Sequence, residues 1–163
     1  MEKKILDVTC GNRSIWFNKN HPLAIYCDKR DGVWEKNYES QPRVYEVKPD
    51  VVCDFTDLPF EDNRFKLVVF DPPHLKNIGE NSWFALRYGR LDDGWEQMLR
   101  DGFKECMRVL EPNGILIFKW SERDISASDV WKAIGEKPLF GHHSGKQSYT
   151  FWACFMKLEE EEK

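Results

Sequence analysis

Nothing in the 163-residue chain is apolar for long. The longest apolar runs, around Lys66–Phe70 and Ile115–Phe118, fall far short of the ~20 residues a membrane span requires. The opening Met1-Glu2-Lys3-Lys4 carries no apolar leader core and no cleavage site, so no secretory signal is expected. The five cysteines (Cys10, Cys27, Cys53, Cys106, Cys154) are odd in number, widely spaced and never in a C-x-x-C pair. That pattern argues against a zinc site or a disulfide framework and makes the cytoplasm the expected compartment. A surplus of positive charge is also missing. The formal net charge is -4 and the pI about 5.6, which excludes a whole-protein basic footprint while leaving room for a local one. The G-x-G-x-x-G phosphate fingerprint is absent too.

What is present is ordinary globular material, 41% hydrophobic and 32% charged, of a length that builds one domain over 1–163. Aromatics reach 14%, with seven Trp, more than one small core needs. Lys4–Val8, Leu23–Asp28, Asp50–Asp54 and Phe65–Asp71 read as strands, and their continuous apolar character suits a parallel sheet covered on both faces. Trp95–Leu110 repeats its apolar residues at the helical period, Pro112-Asn113-Gly114 stops it, and Gly114–Trp120 forms a fifth strand. Ser126–Gly135 reads as a second helix capped by Ser126 or Ser128. Lys137–Phe140 and Tyr149–Lys157 read as closing strands joined by a loop from Gly141 to Lys146. Lys29–Pro49 and Leu75–Gly94 show no clear period, and 158–163 reads as an acidic, solvated tail. The sum is a three-layer α/β sheet of about seven strands, mostly parallel with the last antiparallel.

Ligands of such sheets bind beyond the carboxyl ends of the strands. Here those ends carry Asp7, Asp28, Asp54 and Asp71. One such Asp is an ordinary turn residue, but four in succession line one sheet edge. The turn Asp7-Val8-Thr9-Cys10-Gly11 lets backbone approach a ligand at Gly11. Asp28 follows about 20 residues on, where a carboxylate receives ribose hydroxyls. The sharpest feature is Asp71-Pro72-Pro73-His74. Two successive prolines fix an extended backbone without N–H groups. They leave Asp71 and the Pro72 carbonyl as two acceptors for the two protons of a primary amine, with His74 as a planar neighbour.

These residues resemble the class I S-adenosylmethionine-dependent methyltransferases, and most of all those that modify exocyclic amines of nucleobases. The resemblance spans about residues 3–157. Asp7–Gly11 is similar to the family's first motif, Asp28 to its ribose position, Asp54-Phe55 to its adenine position, and Asp71–His74 to its catalytic motif. It implies S-adenosylmethionine as cofactor, held by Asp7, Thr9, Gly11, Arg13, Asp28, Asp54 and Phe55. It also implies direct methyl transfer at Asp71, Pro72, Pro73 and His74. Arg13 stands where the family usually has a second glycine, and two roles are open to it equally: pairing with the cofactor's carboxylate, or crowding the pocket and weakening cofactor binding. His74 stands where the family usually has Tyr, Phe or Trp. No cysteine follows a proline, which disfavours the Pro-Cys route to a ring carbon. Residues 75–94 interleave cations with rings. Lys76, Trp83, Arg87 and Arg90 are therefore candidates to touch a nucleic-acid acceptor, although a lid packed on its own sheet fits the segment equally well. DNA is favoured over RNA on motif resemblance alone, with adenine and cytosine both open. With no room for a target-recognition domain, a homodimer or a partner subunit is a further expectation. A small-molecule or protein methyltransferase and a catalytically weak binding subunit are the alternatives.

Overall fold

The computed structural model describes residues 2–37, 41–145 and 149–158. Seven strands form one sheet: β1 (Ile5–Asp7), β2 (Ala24–Asp28), β5 (Val51–Val52), β6 (Phe65–Phe70), β7 (Leu110–Ser121), β8 (Phe140–His143) and β9 (Thr150–Met156). Their spatial order is β5-β2-β1-β6-β7-β9-β8. The first five run parallel, and β9 lies antiparallel between β7 and β8. The order reverses at β1, between β2 and β6, which opens a crevice at the carboxyl ends of these strands.

Side chains alternate across the sheet, and one face carries the main core. Leu6, Val68, Phe70, Leu116, Phe118 and Phe155 pack there against helices α2 (Trp95–Val109) and α3 (Ala127–Ile134). Ser126 caps α3 by accepting from Asp129 N, and Gly135 closes it at φ 79°, a conformation that suits glycine. On the other face no helix covers the sheet among the described residues. The chain between β1 and β2 lays Trp16 against Tyr26 and Cys10 there. Leu67, Ile115, Ile117, Trp152 and Met156 remain partly exposed.

Four local differences from the sequence reading have physical causes. Helix α2 ends at Val109 because Leu110 is already extended and paired with Phe65; residues 111–114 then bulge before Leu67 pairs with Ile115. The edge strand β8 begins at Phe140 and takes in Gly141–His143, three of the residues expected in the loop, because all four pair with β9, and the lack of a side chain at Gly141 leaves room for the Phe151 ring. Lys146, the end of that expected loop, lies outside the described residues, as does nearly all of the acidic tail. The aperiodic Lys29–Pro49 stretch holds an antiparallel hairpin, β3 (Gly32–Lys36) and β4 (Arg43–Val47). Within Leu75–Gly94 a short helix, α1 (Trp83–Tyr88), is capped by Ser82. Hairpin and helix share a small core in which Tyr45, Val47 and Trp83 are buried against Trp34 and Leu86.

Candidate active site

The strand-end carboxylates converge on a cavity of about 420 Å³ whose walls include Thr9, Gly11, Asp28, Phe55, Asp71 and His74. Asp54, Pro73, Arg87 and Arg90 also border it.

The first turn is built from inside. Asp7 is 1% exposed and accepts from Thr9 N (3.2 Å) and from the Trp16 indole N–H (2.7 Å). Burial pushes its carboxyl up to about 7, partly opposed by the Trp16 hydrogen bond. Asp7 stands behind the cavity rather than in it and fixes the turn that faces it. Thr9 Oγ1 in turn accepts from Asp71 N at 2.8 Å, tying this turn to the proline motif. Gly11 has φ +49° and a β-carbon there would fall 2.7 Å from the Tyr45 hydroxyl, so the close approach needs glycine.

Asp28 is 5% exposed and surrounded by donors. Oδ1 accepts from Arg30 N and Nε, each at 3.0 Å; Oδ2 accepts from Gly11 N at 3.0 Å and Arg30 Nη2 at 3.1 Å. These fill the roughly four acceptor positions of a carboxylate. A hydroxyl can be received only where an Arg30 N–H yields its place. Asp54 Oδ1 accepts from Thr56 N and Oγ1, leaving Oδ2 toward Lys29 at 3.7 Å.

Asp71 is held asymmetrically. Its Oδ2 receives Lys119 Nζ at 2.5 Å, both side chains being 17% exposed. Its Oδ1 is buried with no hydrogen-bond partner, the one such side-chain polar atom among the described residues. Buried polar atoms are rarely left unpaired, so each exception needs a reason. The Pro72 carbonyl faces His74 Nδ1 at 3.3 Å, which leaves its second lone pair. His74 itself is 8% exposed, wedged between Tyr88 and Trp120. Burial lowers its pKa, so the ring is neutral near pH 7. His74 and Tyr88 also border a second cavity of about 200 Å³ whose walls include Phe84, Lys119, Trp120 and Arg123.

Besides Asp7 and Pro72, three further expected site residues lie outside these walls. Arg13 adopts φ +57° at the position of the absent glycine. Its guanidinium turns away to Lys19 O, Asn20 Oδ1, Lys48 O and Asp50 Oδ1, and covers the Tyr26 ring at 3.8 Å. Trp83 is buried in the hairpin–helix core. Lys76 faces Asp93 at 3.4 Å, and its backbone N–H donates to Asp124. Sequence reasoning missed Arg30, Tyr45 and Lys119. Of these only Lys119 carried a signal, as a lone charge inside an apolar strand that demands a partner.

Solved structures share this architecture. A protein of Pyrococcus horikoshii OT3 matches with a TM-score of 0.57 at 16% identity, covering 96% of this chain and 82% of that one. The N-methyltransferase NodS from Bradyrhizobium japonicum WM9 matches at 0.57 and 14% identity, covering 96% and 86%. An rRNA methylase from Streptococcus thermophilus matches at 0.56 and 12%, covering 97% and 89%. The chain has the class I methyltransferase fold. No protein-family model matches it, and no curated protein is significantly similar. Relative to that fold, the cavity lies at the switch point beside β1, with Asp28 and Asp54 on one side of the glycine turn and Asp71 on the other.

Proposed function

We propose that the chain is an S-adenosylmethionine-dependent methyltransferase that methylates an exocyclic amine of a nucleobase, adenine or cytosine, in DNA in preference to RNA. The observation that carries this reading is the orphaned Asp71 Oδ1. It is a buried acceptor without a partner at the strand end, in the residue before Pro72, with the opposite oxygen already engaged by Lys119. A neutral amine N–H donated to Oδ1 would satisfy it.

The cavity walls suit the cofactor: Asp28 and Asp54 border it on one side of the glycine turn and Asp71 on the other, and a ribose hydroxyl would reach Asp28 by displacing an Arg30 N–H. When bound, the cofactor supplies a methyl group on a positively charged sulfur. Asp71 and the Pro72 carbonyl take the two N–H groups and aim the nitrogen lone pair at that carbon. The amine so held would take that methyl group, the sulfur leaving as a neutral thioether, and its surplus proton would pass to solvent. Alignment and fixed dipoles supply the rate, and no strong base is required. Because Lys119 neutralises Asp71, the site suits an uncharged aryl amine better than an alkylammonium ion. The rings of Phe84 and Tyr88, with the buried His74 packed behind Tyr88, offer stacking surface for a base turned out of its strand.

Labelled methyl transfer to DNA, RNA and free nucleosides, followed by digestion and mass analysis, tests the reading. Methyl on the exocyclic nitrogen of adenine or cytosine is expected. Asp71→Ala should lower kcat by about a hundredfold or more while leaving S-adenosylhomocysteine affinity nearly unchanged. Product found only on a ring carbon, a protein or a non-nucleotide metabolite overturns it.

A further inference from the structure

We propose that Arg87 receives the carboxylate at the methionine end of the cofactor, an assignment that rests on the cofactor reading above. The first ground is charge pairing. Of the four cations along the main cavity, Lys29 stands 3.7 Å from Asp54 and Arg30 forks onto Asp28. Arg90 stands 3.4 Å from Glu80 and 3.7 Å from Asp92. Arg87 reaches no carboxylate among the described residues. Its guanidinium carbon lies 5.0 Å from the Tyr88 ring centroid and 5.7 Å from that of Tyr45. A half-buried guanidinium against two rings has lost part of its water and has no counter-ion, the state in which an incoming carboxylate is bound most strongly.

The second ground is position. The last turn of α1 is pinned at four points. Leu86 O accepts from Arg30 Nη1 at 2.8 Å, above Asp28. Arg87 O accepts from the Tyr45 hydroxyl at 3.1 Å, above Gly11. Tyr88 leans on His74, and Gly89 lies so close to Pro73 that a β-carbon would come within 2.9 Å of its ring. Arg87 is therefore held over the path from the ribose carboxylate and glycine turn to Asp71, the path that the methionine end must follow. The third ground is elimination. Arg13, whose sequence position leaves a pairing with this carboxylate open, spends both of its η nitrogens on Lys19, Asn20, Lys48 and Asp50.

Calorimetric titration of the full chain with two probes tests the assignment. S-adenosylhomocysteine carries the amino-acid carboxylate; 5′-methylthioadenosine has the same nucleoside and thioether without it. Arg87→Met should weaken S-adenosylhomocysteine about tenfold or more and change methylthioadenosine by less than about twofold. Arg87→Lys should retain part of the difference. Equal loss of both probes would make Arg87 a structural prop of α1 and overturn the assignment. Unchanged S-adenosylhomocysteine affinity would overturn it as well. Failure of the unmodified chain to bind S-adenosylhomocysteine would overturn the cofactor reading itself, and this shows before any variant is made.

Discussion

At the residue scale, the strand-end carboxylates have diverged in task although the sequence presents them alike. Asp71 keeps one bare oxygen, Asp28 is filled by donors, Asp54 closes a turn, and Asp7 is withdrawn behind the wall. Asp7 has a consequence for stability. Its folded pKa of about 7 lies above its ordinary value of 3.8, so between those values the native state holds more proton than the unfolded chain. Its contribution is fully present below about pH 4 and is lost as pH rises through 7. Denaturant melts at pH 5 and pH 8 should therefore show a larger loss for the unmodified chain than for Asp7→Ala. The difference should be on the order of 3 kcal/mol. Parallel pH profiles for the two proteins would remove the buried charge as its cause. Much of this site was legible in the residues: the converging carboxylates and the proline pair are local signals. The direction of a long side chain is not. Arg13 points outward because Asp50, Lys48 O and the Tyr26 ring wait there, and that placement depends on the whole path from β1 to β5.

At the element scale, helix α2 borders the cavity with Met98 and Asp101 and acts on it also through Gly102, which does not border it. A β-carbon there would lie 2.5 Å from Phe55 Cδ2 and 3.1 Å from Phe70 Cζ, and these two rings already meet edge to face with centroids 5.1 Å apart. Gly102→Ala gains about 1 kcal/mol of helix propensity against an overpacking cost of roughly 1–3 kcal/mol. A net loss of about 1 kcal/mol is expected. The ring that yields is Phe55, which borders the cavity. S-adenosylhomocysteine affinity should fall in the same variant, read by calorimetry beside a denaturant midpoint; unaltered affinity would separate Gly102 from the site. The helices α2 and α3 were legible because period and caps agree, and the parallel strands because their apolar runs are unbroken. The hairpin was less so. Trp34, Tyr45 and Val47 do alternate inward, but Val33 and Val44 stand exposed between them and blur the pattern. Helix α1 holds through Tyr45, Arg30 and Pro73, partners remote in sequence that no local period announces.

At the scale of the whole molecule, the sheet carries its helices α2 and α3 on one face, while the opposite face is dressed over β1 and β2 by the Trp16 turn and leaves Leu67, Ile117 and Trp152 partly in water. The consequence is thermal. The heat-capacity rise on unfolding scales with the apolar area newly exposed, and part of that area here is exposed already. Scanning calorimetry should give an increment below the usual ~12 cal/mol/K per residue. A smaller increment bends the free-energy curve less, so stability should change gently between refrigerator and body temperature rather than peak sharply. An increment at or above the usual value would mean that the second face is covered in solution after all.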